Sequence, residues 1–413
     1  MVEIADTAMV GRASKRDAVD TRVQTASPAD SGCVPLATVA AESWRALAAR
    51  AIEPNGYYLP DWEISVNASA RGRVGAAALC AWSDKAPAQL TGLMPVIPMG
   101  RAYKIPLPAL VSADPYGTLC TPLLDRDNAE AAAAQLMAQA RLAGAHALIL
   151  RAVSLDGLAM KAFREELRRE GMRPLLLESH LRACLDARHD AEESLRDALG
   201  AKKLKELRRQ RNRLAEHGAV SFDVARTPDE IAAAVEIFLN LEASGWKAKR
   251  GTALKQDEGD AAFVRHATSA LAETGNCEIV FLRAGDTPVA AAVVLRHQDR
   301  AFYFKLGVDE TFAKFSPGVQ LTLDLTRHLC ADPAIASVDS TASPDHPMIN
   351  PIWRGRLSIG DVLIPLRPRD PVVSLIRASL ALRRMVRGPA RRAVHLIRNR
   401  RERHQENHQE KSL

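Results

Sequence analysis

Several things are scarce in this chain of 413 residues. Aromatic side chains make up only 5% of it, so its interior has to be built mainly from aliphatic residues, with Ala and Leu in front. The six cysteines, at positions 33, 80, 120, 184, 277 and 330, lie far apart and mostly inside apolar runs. No Cys-x-x-Cys and no paired Cys/His spacing occurs. That excludes the usual zinc frameworks and predicts buried free thiols in a reducing compartment, with no metal. No apolar run reaches the length of a membrane span. The opening Met1-Val2-Glu3-Ile4-Ala5-Asp6 has no basic region followed by an apolar core, so a cytoplasmic location is expected.

An even excess of one charge is also missing. The formal net charge of +7 is a property of one end. Residues 371–413 carry 11 Lys/Arg against 3 Asp/Glu, while the other 370 residues carry 45 against 46. A body so balanced is not an evenly basic nucleic-acid binder, and nucleic acid is not an expected partner. The basic, partly amphipathic end is expected to touch an anionic membrane surface, which would hold the protein at the inner face of a membrane.

What is present is an alternation of helical and strand-like runs with turn residues between them. Residues 1–34 are polar, small and weakly periodic, and read as a disordered leader. From 35 to 189 the pattern predicts a first domain. It has a helix near 36–50, strands at 75–82, 90–98 and 103–111, a helix at 128–143, a strand at 147–153, a helix at 156–170 and a strand at 174–185. Gly144 and Gly171 stand where helix C-caps belong. Residues 190–218 read as a basic helical connector broken at Gly200. Lys202, Lys203, Lys205, Arg208, Arg209, Arg211 and Arg213 accompany one apolar stripe of Leu204, Leu207 and Leu214.

Residues 219–368 repeat the order of elements. A strand at 219–225 leads to the capping box Thr227-Pro228-Asp229-Glu230 and its helix. A helix at 258–273 follows, then strands at 277–283, 288–296 and 301–308, a helix from about 319, and strands at 335–340 and 357–365. Residues 369–413 form a basic helical tail. The fold class expected is therefore α+β, with two related domains, each a mostly antiparallel sheet flanked by helices.

The chemistry concentrates in two stretches. The strand ending at Val308 leads through a loop to Ser316-Pro317-Gly318-Val319 and a helix start. Free first-turn amides and the positive end of the helix dipole make such a terminus a site for phosphate. Lys305 lies mid-strand beside it. By alternation Lys305 shares a face with Tyr303 and opposes Phe302 and Phe304. The second stretch, Asp339 to Arg354, packs Asp339, Asp345, His346, Asn350, Trp353 and Arg354 among three prolines. His346 is suited to act as general base with Asp339 or Asp345 orienting it, and Trp353 and Arg354 to contact a substrate. At the end of the first helix of the second domain, Glu242 is suited to take a proton, and Trp246 and Lys247 to meet an acidic acceptor.

The residues Glu242-Ala243-Ser244-Gly245-Trp246-Lys247 with Gly251-Thr252-Ala253, the strand Phe302-Tyr303-Phe304-Lys305, Asp309 and Ser316-Pro317-Gly318 carry a resemblance. In this order of elements, 190–366 resembles the GNAT acyltransferases. More narrowly, it resembles the double-GNAT proteins of the cellulose-biosynthesis (CelD-type) group, distant relatives of the Fem-type peptidoglycan aminoacyl ligases. In the first half the likeness rests on element order and on Tyr57, Tyr58 and Trp62. The resemblance implies two tandem GNAT-like domains. It also implies acetyl-CoA or another acyl-CoA as co-substrate on the amides around Gly318 and Val319, with Lys305 nearby, and a saccharide or envelope precursor as acceptor. The chain departs from the group after Asp339, where many members carry a Tyr-Lys pair.

Three readings stay open at this level. One is an acyl-CoA-dependent N- or O-acyltransferase. Another is a Fem-like transferase using aminoacyl-tRNA, although the 190–217 segment is shorter than a Fem-type helical arm. The third is a non-catalytic membrane-surface protein of polysaccharide biosynthesis.

Overall fold

A computed structural model of the protein describes residues 32–244, 251 and 253–386. The leader up to 31, Trp246, Lys247 and the tail beyond 386 lie outside the described residues.

Most local signals are realised where the chain chemistry puts them. Thr227 and Glu230 exchange capping hydrogen bonds, the Thr227 amide donating to Glu230 Oε2 at 3.0 Å, and helix Pro228–Ser244 follows. Gly200, at φ 73° and ψ 161°, interrupts the helix Ala191–Leu214 at the expected break. Two regions differ from expectation. The run 103–111 is not one strand. A helix, Met99–Tyr103, ends at left-handed Lys104, and Pro106 and Pro108 delay the strand to Ala109–Ser112. An unforeseen helix runs Pro60–Ser69, because its inward face carries Asp61, Glu63 and Asn67 beside Trp62 and Val66, which masks its apolar period.

One sheet of thirteen strands passes through the described residues. In chain order these are β1 (Val34–Pro35), β2 (Ala77–Trp82), β3 (Leu90–Pro98), β4 (Ala109–Ser112), β5 (Leu123–Leu124), β6 (Ala147–Ser154), β7 (Leu175–Asp186), β8 (Val220–Ala225), β9 (Cys277–Ala284), β10 (Thr287–His297), β11 (Arg300–Val308), β12 (Ser337–Asp339) and β13 (Gly355–Pro365). Their spatial order is β1-β2-β3-β4-β6-β13-β7-β12-β11-β10-β9-β8, with β5 paired to β3. Only β4 with β6 and β11 with β12 run parallel. Each parallel step is made by a helix, Ala129–Leu142 in the first half and Pro317–Cys330 in the second, as a parallel crossover requires. This mixed α+β architecture, a mostly antiparallel sheet flanked by helices with the same order in both halves, is the one expected.

The halves are stitched together in a way the element order does not reveal. Strand β13, from the end of the second half, inserts between β6 and β7 of the first, and β7 in turn borders β12. The sheet therefore crosses the 189/190 boundary without a break. A second joint is aromatic. Trp62 meets Phe304 at 4.8 Å and Phe263 at 5.0 Å between ring centroids, while Tyr57 meets Phe302 at 5.8 Å. Trp62 Nε1 donates to Pro115 O at 2.7 Å and the Tyr58 hydroxyl to Ala113 O at 3.1 Å. These bonds fix the loop after β4 to Tyr58 and to Trp62, whose ring belongs to the aromatic joint with the second half.

The second half also contains a buried charge cluster with a measurable consequence. Burial alone would raise the Glu278 carboxyl, but His328 (2.8 Å), Arg296 and Arg226 (3.2 Å) overcome it and hold the group at about 2. A depressed folded value means stability that is present above the unfolded carboxyl value and lost as the pH falls through the folded one. Thermal stability is therefore expected to decline between about pH 4.5 and 2. Glu278→Gln should be less stable at neutral pH and should lose this part of the acid limb. Parallel limbs in melting curves of the two proteins would count against the assignment.

Candidate functional site

Strands β11 and β12 pair only over Arg300–Phe302 and Ser337–Asp339, and then diverge. The opening holds a cavity of about 300 Å³. One wall is Tyr303 to Leu306 and Val308, and the other is Ser340 to Ala342 with His346, Met348 and Ile349. Past the point of divergence the ladder between the two strands stops, and the Tyr303 carbonyl is met by the Thr341 side chain instead of a strand amide.

The divergence is enforced from below. Arg182 on β7 and Asp339 are each 1% exposed and meet at 2.5 Å. The same guanidinium donates to Thr118 O and Oγ1 at 2.7 and 2.8 Å. Asp339 Oδ1 accepts from the Thr341 amide at 2.8 Å, and Thr341 Oγ1 donates to Tyr303 O. Thr118 Oγ1 donates to Thr341 O at 2.9 Å. This network turns the chain away from β11 at Thr341, whose φ of 49° is left-handed. Asp339, expected as a catalytic carboxylate, thus acts as the buried anchor of the gap.

At its far end the gap meets the helix Pro317–Cys330. Ser316 caps this helix in a left-handed conformation (φ 53°), and Pro317 brings no N–H. The first bond within the helix runs from Gln320 N to Ser316 O at 3.0 Å, so the amides of Gly318 and Val319 precede the internal ladder. A Cβ on Gly318 would lie 2.9 Å from Leu306, 3.3 Å from Val308 and 3.5 Å from Met348, three residues of the cavity wall. The N-terminal end of the helix and the gap are therefore adjacent.

Lys305 borders the gap, but the face given to it by alternation is corrected. Val293 of β10 opposes Lys305 and Val294 opposes Tyr303, which leaves Phe304 as the extra residue of a β-bulge. Lys305 consequently turns to the side of Phe304. It stands 3.7 Å from Glu242 and 5.4 Å from the centre of the Tyr116 ring. Tyr303 turns the other way, toward Thr322 and Trp353. Glu242 is buried, and its Oε2 accepts from the Leu254 amide at 2.8 Å.

His346 lines the gap and is half-buried, and burial lowers its pKa below the ordinary histidine value. The Met348 and Ile349 amides point at Nδ1 from 3.3 and 3.4 Å, so Nε2 carries the proton in the neutral ring. A ring so arranged donates from Nε2, and its basic nitrogen is the one facing the chain. Asp345 is exposed and absent from the cavity wall. Trp353 is fully buried and donates from Nε1 to Thr326 Oγ1 at 2.9 Å. It is therefore a core residue, contrary to the expectation of substrate contact. Arg354 reaches away to Asp197 O at 3.2 Å.

Sequence reasoning missed the contribution of the first half. Tyr116, at φ 60° in the loop fixed by Trp62, donates its hydroxyl to Asp260 Oδ2 at 2.7 Å, and the Arg73 guanidinium covers its ring at 4.1 Å. Burial, followed by Asp260, pushes the Tyr116 hydroxyl well above its ordinary value. The turn Asp114-Pro115-Tyr116-Gly117 was readable as a loop, but no local signal ties it to Lys305, almost two hundred residues later. The corresponding opening of the first half, between β4 and β6, is bridged by protein. Arg151 Nη2 donates to Ser112 O at 2.8 Å and its amide to Ser112 Oγ at 2.9 Å.

An opened parallel pair beside a helix N-terminus, in this strand order, defines a GNAT-type fold, and residues 201–346 match the family described as an acetyltransferase (GNAT) domain. The protein is a transferase. Among solved structures it is similar to FemX, at 10% identity over 82% of this chain and 98% of that one, with a TM-score of 0.53. It is also similar to the C-terminal domain of a protein provisionally assigned as a lysylphosphatidylglycerol synthetase from Agrobacterium fabrum. That match has 14% identity, covers 82% of this chain and 96% of that one, and has a TM-score of 0.50. At these identities the likeness is one of fold. No curated protein matches the chain in sequence. Among the described residues no cluster of potential metal ligands occurs, and no helix is long and apolar enough to cross a membrane.

Proposed function

We propose that the protein is an acyl-CoA-dependent N- or O-acyltransferase of the CelD-like kind, working in the cytoplasm on a saccharide or cell-envelope precursor. The observation that carries this reading is the opening between β11 and β12 beside the first-turn amides of Gly318 and Val319. The amides hold the pyrophosphate of the donor, where the helix dipole favours its charge. The pantetheine arm lies along the edge Tyr303–Leu306, and a main-chain N–H of that edge polarises the thioester carbonyl. The acceptor amine or hydroxyl attacks the carbonyl, the carbon–sulfur bond breaks, and CoA leaves as its thiolate. Glu242, which Lys305 links to the gap, takes the acceptor proton. His346 supplies Nε2–H as a donor to the reacting groups. Trp246 and Lys247 are retained as acceptor contacts by analogy with the CelD-type pattern. The bridged first half contributes Tyr116 beside Lys305 and binds no donor of its own.

Calorimetric titration with CoA and acetyl-CoA tests this directly, with saturable binding expected. No heat from either at millimolar concentration, together with binding of aminoacyl-tRNA, would transfer support to the Fem-like reading, for which the exposed cations of Ala191–Leu214 are the relevant observation.

A further inference from the structure

The helix over 371–386 has two apolar stripes, of which the protein uses one. Val373, Ile376 and Leu380 pack into the cluster of Met99, Val111 and Ile149. On the opposite side Leu375, Leu382 and Val386 follow one another at helical spacing, with Met385 beside them. Their exposures are 53, 62, 63 and 72%, which makes this stretch the densest group of exposed large apolar residues described. Single exposed leucines need no explanation, but a stripe along one helix does.

The helix itself carries charge of one sign, and Glu178 beside it is paired with Arg384 at 3.5 Å. Residues 371–386 contain Arg377, Arg383 and Arg384 and no Asp or Glu. Arg383 lies over the Tyr103 ring at 4.7 Å, while Arg384 is held on the packed side of the helix by the Leu177 carbonyl and Glu178. At the start of the helix lies a cavity of about 660 Å³ whose wall includes Arg173, Arg367 and Arg369. Its two carboxylates are already engaged, Glu170 by Arg141 and Asp370 by His146 at 2.6 Å. The region therefore offers apolar side chains beside cations whose local acids are spent.

We infer that this face docks on an anionic phospholipid bilayer. Leu375, Leu382, Met385 and Val386 enter the boundary between headgroups and acyl chains, and Arg377 and Arg383 of the helix and the arginines of the adjoining cavity meet lipid phosphates. Charge complementarity selects this occupant, because a second copy of the same face would set arginine against arginine. A helix lying in the plane of the interface, with apolar residues on one side and Arg beside them, is the arrangement such binding uses. The inference is independent of the transferase reading.

Co-sedimentation of the full chain with vesicles tests it. Vesicles of phosphatidylcholine with one quarter phosphatidylglycerol should retain the protein, pure phosphatidylcholine should not, and raising the salt from about 0.1 to 1 M should release it as charges are screened. Leu382→Ser with Met385→Ser, both at exposed positions, should lower partitioning at least about tenfold and leave acetyl-CoA titration unchanged. Equal binding to both vesicle types would overturn the inference. So would unchanged partitioning of the double variant, which would assign binding to net charge alone. A concentration-dependent dimer in gel filtration, abolished by the same substitutions, would assign the face to a second copy instead.

Discussion

Gly318→Asp is expected to abolish acyl-CoA binding, at some cost in stability because Gly318 is buried against Leu306, Val308 and Met348. The substitution sets a carboxylate on the first turn of Pro317–Cys330, among the amides proposed to hold the donor's pyrophosphate. Two unit charges about 4 Å apart repel by about 4 kcal/mol at an effective dielectric constant of about 20, which corresponds to a loss of several hundredfold or more in affinity. An acidic side chain in a first turn favours the helix through the dipole and offsets part of that cost, so the variant should remain folded under the conditions of the titration. Gly318→Ala separates charge from bulk. Its Cβ would approach the flexible end of Leu306 at 2.9 Å, a contact that yields by a small side-chain shift, so a modest loss is expected. Calorimetry of both variants, with melting temperatures alongside, reads the difference. Undiminished binding to the Asp variant would place the donor elsewhere.

Arg182→Ala is expected to give the largest loss of stability of any single substitution near the site. The guanidinium is buried against Asp339 and Thr118, and its removal leaves an unpaired carboxylate where both partners are 1% exposed. Breaking such a pair from one side typically costs about 3–5 kcal/mol, whereas replacing both partners with apolar residues is often neutral. Arg182→Met combined with Asp339→Leu should therefore recover much of what Arg182→Ala loses in urea unfolding. The double variant also lacks the bond from Asp339 to the Thr341 amide that turns the chain away from β11. It should refold stably but bind acetyl-CoA less well. A cost below about 1 kcal/mol for Arg182→Ala would show that the pair does not anchor the gap.

The particular elements explain what was legible in the chain. Strands β9 to β11 could be read because each is a continuous apolar run ended by a turn residue, and the helix Pro228–Ser244 because its capping box is written in four consecutive residues. The helix Pro60–Ser69 could not be read, because buried Asp61, Glu63 and Asn67 interrupt its apolar period, and Asp61 and Asn67 find partners in Arg45 of the preceding helix and the Ala76 amide. The face of Lys305 was misjudged for a related reason. A bulge at Phe304 exists only in the pairing of β11 with β10, and alternation within one strand carries no trace of it. Trp353 and Asp339 looked like site residues because polar and aromatic groups in a proline-rich loop have that composition. Their burial assigns them to anchoring and core.

By itself the sequence determined the balance of charge, the order of elements, the repeated meander, helix and strand, and the helix start at Ser316-Pro317-Gly318. These depend on contacts within a few residues, where spacing and caps act directly. Only the tertiary structure decided that β13 returns to the first half, that β11 and β12 part after three residues of pairing, and that Tyr116 of one half stands over Lys305 of the other. Each of these joins segments tens to hundreds of residues apart. Their placement is set by which buried faces and charges satisfy one another in space, and neighbours along the chain say nothing about that.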